Sequence, residues 1–124
     1  MSLLEHRDEG VHKVRWVRAD AIAVDAREIA ASFLLAPDAI VEEWAPRAVT
    51  EIDDTAVAAV LALQPALVLL GTGIVQRMPP PALMAAFLRR GIGLEAMDNS
   101  AAARTFNLLA AEGRRAVAAF ILPG

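Results

Sequence analysis

The distribution of apolar and polar positions divides the chain into a β-rich first part and an alternating second part. Val14, Trp16, Ile22 and Val24 alternate with Arg15, Arg18 and Asp25, the period-two pattern of half-buried strands, and Asp25-Ala26 falls where the tip of a hairpin is expected. The stretch Glu28–Leu35, EIAASFLL, suits strand or helix by propensity. The stop at Pro37-Asp38 and the preceding turn favour a strand that pairs backwards. Residues 37–49 show no periodicity and hold Trp44 followed by Ala45-Pro46. A Trp beside a proline turn reads as a packing lid over the core or as a surface for stacking and binding.

From Thr50 the period changes. Thr50, Asp53 and Asp54 offer N-caps with acidic residues in the first turn, Val57, Val60 and Leu61 follow at helical spacing, and Pro65 ends the segment. Capping accounts for Asp53 and Asp54 better than a pair of working acids does, because adjacent helical residues do not face each other. Ala66–Gly73, ALVLLGTG, then reads as a central strand covered on both faces, and the rest of the chain is arranged around it. Met78-Pro79-Pro80-Pro81 leads into a helix over Ala82–Arg90, with Leu83, Ala86 and Phe87 on one face and Gly91 as an αL stop. A strand over Ile92–Met97 is followed by three capping side chains, Asp98-Asn99-Ser100. The next helix runs to about Ala111 with Ala102, Phe106, Leu109 and Ala110 inward, and Arg115–Leu122 forms a last apolar strand. The second part is therefore a βαβαβ unit of mixed or parallel pairing.

Composition narrows the function classes. At 124 residues, with 56% hydrophobic and 22% charged residues, the chain is expected to fold as a single globular domain, 1–124, in which residues 1–10 are ordered only where something packs on them. A net charge of -3 and a pI near 5.3 exclude the basic footprint of a nucleic-acid binder. The doublets Arg89-Arg90 and Arg114-Arg115 read as a helix end and a strand start. The absence of cysteine removes disulfides, thiolate metal sites and cysteine nucleophiles. His6 and His12 lack a third ligand at fixed spacing and read as surface residues, so neither a metal nor a cofactor is implied. No stretch reaches the ~20 apolar residues of a membrane span, and the N-terminus lacks a signal-peptide pattern, so a cytoplasmic protein is expected.

Two sets of residues carry candidate chemistry. Gly71-Thr72-Gly73 lies at the carboxyl end of the central strand, where open α/β sheets bind ligands and backbone N–H groups can meet an anion. The dinucleotide fingerprint fails at Gln76, and no Walker lysine follows. The ligand-binding candidates are Thr72 and Gly73, with Asp98, Arg104 and Asn107 as a rim facing the Thr72 loop. Arg104 and Asn107 read alternatively as an exposed polar stripe. No catalytic residue is assigned. Thr72 has no activator, and Asp98 serves as a base only if burial raises its pKa, whereas a capping role lowers it. The partner-binding candidates are Trp44, Met78 and Pro80, as parts of an apolar patch directed at another protein, with a homodimer as a further possibility.

The strand ending LLGTG, the proline-rich link into a helix, the strand ending Met97-Asp98, the helix with ARTFNLLAAEGRRA and the apolar last strand resemble one family. This is the small α/β domain of the mitochondrial complex I assembly factor number three, which also includes the Mth-type domain proteins linked in animals to adipogenesis. The resemblance covers about Ala66–Leu122, and its most specific residues are Thr72-Gly73, Met97-Asp98 and Arg104-Thr105-Phe106-Asn107. Family members usually carry tyrosine where Phe106 stands, a glycine-rich stretch before the first strand, and Asp-Gly where this chain has Asp25-Ala26. The resemblance implies a three-layer α/β domain with a mixed central sheet behind a small antiparallel β portion. It also implies a non-catalytic binding or assembly protein connected with a respiratory membrane complex. A small-ligand binder or enzyme with its pocket at the Gly71-Thr72-Gly73 loop is the alternative.

Overall fold

In the computed structural model, which describes residues 10–124, β1 (Val14–Val17), β2 (Ile22–Val24) and β3 (Arg27–Ile29) form an antiparallel meander in the order β1-β2-β3. The expected turn is present: Val24 opposes Arg27 across Asp25-Ala26, and Asp25 takes a positive φ of 54°. Asp tolerates this region better than most residues, which suits it to a tip where glycine was absent. The expectations for residues 1–9, His6 among them, lie outside the described residues.

Glu28–Leu35 does not form one strand. It is split into β3 and β4 (Phe33–Ala36), which belong to different sheets, and Ala30–Ser32 carries the chain between them. Ser32, which is buried, fixes the crossing. Its Oγ accepts from the Leu122 N–H at 2.9 Å and donates to the Leu122 carbonyl at 3.2 Å. Pro37-Asp38 is the turn into a strand missed by the periodicity, β5 (Ala39–Val41), which is too short to show a period.

After a 3-10 turn at Val49–Glu51 come α1 (Asp54–Leu61), β6 (Leu67–Gly71), α2 (Pro81–Leu88), β7 (Gly93–Met97), α3 (Asn99–Ala111) and β8 (Ala116–Phe120). Asp53 caps α1 by accepting from the Ala56 N–H, and Pro81 occupies the first position of α2. The five-stranded sheet runs β5-β4-β8-β6-β7. β6 pairs parallel with β7 and β8, and β4 pairs antiparallel with β8 and β5. The βαβαβ expectation and the mixed sheet both hold.

Alternate residues of the central strands point to opposite faces and build two cores. Leu35, Leu69, Ala118 and Phe120 pack with Phe106 and Leu109 of α3 and with Val14, Ile22 and Ile29 of the meander. Leu34, Leu70, Val117 and Ala119 pack with Val60 of α1, Leu83 and Phe87 of α2, and Trp44. Two helices therefore cover one face, while α3 and the small sheet cover the other. Phe33 and Phe120 stack with centroids 5.1 Å apart at the centre of the α3 side. No helix is long and apolar enough to cross a membrane among the described residues.

Candidate functional site

The carboxyl end of β6 is where the topology would place a ligand, and its groups are already committed. The Thr72 N–H donates to the Met97 carbonyl at 2.9 Å, and the Gly73 N–H donates to Asn99 Oδ1 at 3.2 Å. Asn99, 3% exposed, also donates through Nδ2 to the Ile121 carbonyl at 2.9 Å, while its backbone N–H donates to Gly73 O. One carboxamide thus ties the exit of β6 to the exit of β8. Gly71 is required beneath it, because a Cβ there would collide with Asn99 Oδ1 and stand 3.0 Å from the Phe120 ring. Asp98 is the N-cap of α3, accepting from the Ala101 N–H at 2.9 Å. An anion at this loop finds the donors of Thr72 and Gly73 and the capped N–H of Ala101 in use.

Thr72 serves the same closure. Its buried hydroxyl lies 2.7 Å from the Val75 carbonyl and 3.3 Å from the Met97 carbonyl as a donor, and it accepts from the Arg77 N–H at 3.0 Å. Gln76 Nε2 donates to the Ala96 carbonyl at 2.8 Å, fastening the loop to β7. Because Thr72 pins both sides of the 73–77 turn, the apolar side chains of the turn are held outward. Ile74 is 74% exposed, Val75 53% and Met78 73%. Pro79 beyond them is buried and Pro80 is exposed at the N-cap of α2, so the far end of the loop is anchored too. A hydroxyl used this way is a structural pin rather than a nucleophile.

The remaining candidates lie elsewhere. Asn107 reaches β1, donating from Nδ2 to the Val14 carbonyl and accepting at Oδ1 from the Val14 N–H, both at 2.9 Å. Exposed Arg104, one turn earlier on α3, lines a cleft with Trp16 and Val17 of β1. These two residues face the meander, so the expected rim around Thr72 does not form. Trp44 is a core residue, 5% exposed, whose Nε1–H donates to the Ala56 carbonyl at 3.1 Å. The packing-lid alternative describes it, and it presents no surface to a partner. Met78 and Pro80 are the exposed members of the partner-binding set.

Three residues of this site are not among the candidates that the sequence offers. Ile74 and Val75 are two consecutive apolar residues between a glycine turn and a proline run, which is a visible signal. Asn99 reads as one of three capping side chains. Its distinguishing role depends on a contact with Ile121 that no local pattern displays. His12, expected at the surface, is half-buried with Nδ1 2.7 Å from Asp25 Oδ2. Among the described residues no group of three His, Asp or Glu side chains is placed to hold a metal.

Comparison with solved structures returns close likenesses. An NMR structure of Xanthomonas campestris XCC1710 is 45% identical, with a TM-score of 0.84 and coverage of 100% of this chain and 94% of the other. A crystal structure of a Bordetella parapertussis protein is 32% identical with a TM-score of 0.84, covering 91% of this chain and 97% of its own. A Bordetella pertussis protein described as a Mth938-like domain is 28% identical, with a TM-score of 0.77 and coverage of 91% and 87%. No functionally curated protein matches. A family model described as protein of unknown function (DUF498/DUF598) matches residues 14–121, which spans both sheets and the three α-helices of the described residues. The chain belongs to the DUF498/DUF598 family.

Proposed function

We propose that this chain is a non-catalytic binding protein that presents the 74–78 loop to a protein partner. One observation carries the reading. Ile74, Val75 and Met78 are exposed together on a loop whose backbone is fastened at Thr72, Gln76 and Pro79. An apolar side chain at the surface is ordinary, but three on one hydrogen-bonded turn form a pre-organised apolar contact. Ordering a loop on association costs free energy, and a loop already held in place avoids that cost. The engagement of the Thr72 and Gly73 N–H groups takes support away from the small-ligand alternative.

The resemblance to the complex I assembly factor supplies the partner class: a subunit or assembly intermediate of a respiratory membrane complex. The test is affinity capture from membrane-containing extract with the tagged chain and with Met78→Asp. The variant is expected to keep its melting temperature, because Met78 is exposed, and to lose the recovered partner. Equal recovery with both baits overturns the reading, and size-exclusion chromatography of both reports whether the loop instead joins two copies.

A further inference from the structure

A second surface, separate from the 74–78 loop, follows the seam between β1 and α3. Two clefts adjoin there and share Arg15 and Asn107. One, of about 930 Å³, is walled by Val11, Leu108, Ala110 and Ala111. The other, of about 260 Å³, runs past Trp16 to Ser100 and Arg104. The Asn107 carboxamide, bonded to both backbone groups of Val14, stands where they meet. The helical side extends from Ser100 to Gly113, roughly 20 Å at ~1.5 Å per residue. That length matches about six residues of extended chain at ~3.3 Å each.

The charge of this seam opposes that of the whole chain. The chain carries 15 acidic and 12 basic residues, yet Lys13, Arg15 and Arg104 all line the seam and all are exposed. The ion pairs among the described residues use His12, Arg27 and Arg115, none of these three. Beside the seam, the Arg18 guanidinium lies 4.1 Å from the ring centroid of Trp16, which lines it. Among the described residues the one acid in the lining, Asp25, is engaged by His12 Nδ1 at 2.7 Å and by the Lys13 N–H at 3.0 Å. Next to these cations stands an apolar wall in which Leu108 is largely exposed.

We propose that the β1–α3 seam binds an extended peptide segment of a partner protein that alternates acidic with apolar side chains. Carboxylates meet Lys13, Arg15 and Arg104, and apolar side chains settle against Val11, Leu108 and the alanines. Charge complementarity sets this choice. A nucleic acid would satisfy the cations but would leave the apolar wall without a partner, and it would meet a chain of net charge -3.

The experiment titrates the 15N-labelled full chain with an N-acetylated octapeptide of alternating glutamate and leucine. Saturable amide shifts are expected in Lys13–Val17 and Ser100–Gly113, with affinity falling about tenfold or more between low and physiological salt. The double variant Arg15→Glu/Arg104→Glu should weaken binding by at least about tenfold while keeping the wild-type circular dichroism, and Met78→Asp should bind as wild type does. No saturable shift, shifts confined to residues 72–80, or undiminished binding by the double variant each overturns the proposal. So does equal or tighter binding of a lysine-leucine octapeptide or of a single-stranded DNA oligonucleotide.

Discussion

Asn99 is the side chain on which the closed end of the sheet depends, and its removal can be assigned a magnitude. In Asn99→Ala the Ile121 carbonyl, in a residue only 4% exposed, loses its donor, and the Gly73 N–H loses its acceptor. A buried polar group left unpaired costs roughly 1–3 kcal/mol. Gly73 is half-buried and can turn to water, so most of the penalty falls on Ile121. The expected loss is about 2–3 kcal/mol, which for a chain of this size lowers the melting temperature by roughly 8–12 °C. Urea denaturation at constant m-value is the assay. Asn99→Asp separates hydrogen bonding from packing, because it keeps the acceptor for Gly73 and the shape of the side chain. Ionised, it sets a carboxylate oxygen against the Ile121 carbonyl; protonated, it can donate there. The variant should therefore retain the Gly73 contact and lose stability through the Ile121 carbonyl alone. An Asn99→Ala variant within about 0.5 kcal/mol of wild type refutes the claim that this carboxamide fastens β6 to β8.

Three further outcomes are expected. Gly71→Ala forces a methyl group against Asn99 and the Phe120 ring and should cost about 1–3 kcal/mol in urea unfolding, with part of the loss recovered in the double variant Gly71→Ala/Asn99→Ala, where the collision with Oδ1 is gone. Trp44→Phe keeps most of the ring volume but leaves the Ala56 carbonyl without the indole N–H, so it should lose about 1 kcal/mol on thermal unfolding and leave partner recovery unchanged. The hydrogen bond from Arg115 holds the Asp38 carboxyl below its ordinary pKa, against an opposing effect of desolvation. Stability from this pair is thus present above the ordinary carboxylate value of about 4 and is lost as pH falls through the depressed one. Both side chains are substantially exposed, so the contribution stays within the roughly 0.2–1 kcal/mol of surface pairs, and Asp38→Asn should flatten that part of the acid limb of the stability curve.

The second half of the fold was legible because each element carried its own punctuation. Pro81 and Gly91 bracket α2, Asp98 caps α3, and the run Leu67–Leu70 is long enough and apolar enough to declare a central strand. The first half was less legible for two physical reasons. β5 is three residues long, shorter than any period can register, and the division of Glu28–Leu35 between two sheets depends on Ser32 meeting Leu122, a contact 90 residues away. Arg104 and Asn107 were correctly placed on one face of α3, three residues apart. Spacing fixes only which residues share a face, not what the face meets, and here it meets β1.

The same limit explains why the Gly71-Thr72-Gly73 loop invited a ligand on paper. Glycines at the carboxyl end of a parallel strand leave N–H groups free in many α/β proteins, and the local sequence displays the glycines but not the acceptors. In this chain the acceptors come from Met97 and Asn99, about 25 residues downstream, at the exit of the neighbouring strand. Once those bonds form, the loop has no donor left to recognise an anion at Thr72 or Gly73. What it has instead is a hydroxyl bonded on both sides, a glutamine anchored to β7 and three apolar side chains with nowhere inward to go. The closure that occupies those donors also holds the proposed contact surface outward, since a freely moving 74–78 segment could fold Ile74 and Val75 back toward the sheet. On that reasoning Thr72→Val, which removes the pin while filling nearly the same volume, should weaken partner capture as well as stability. If capture survives in Thr72→Val but is lost in Met78→Asp, the side chains alone make the contact and the fastening of the loop contributes nothing to it.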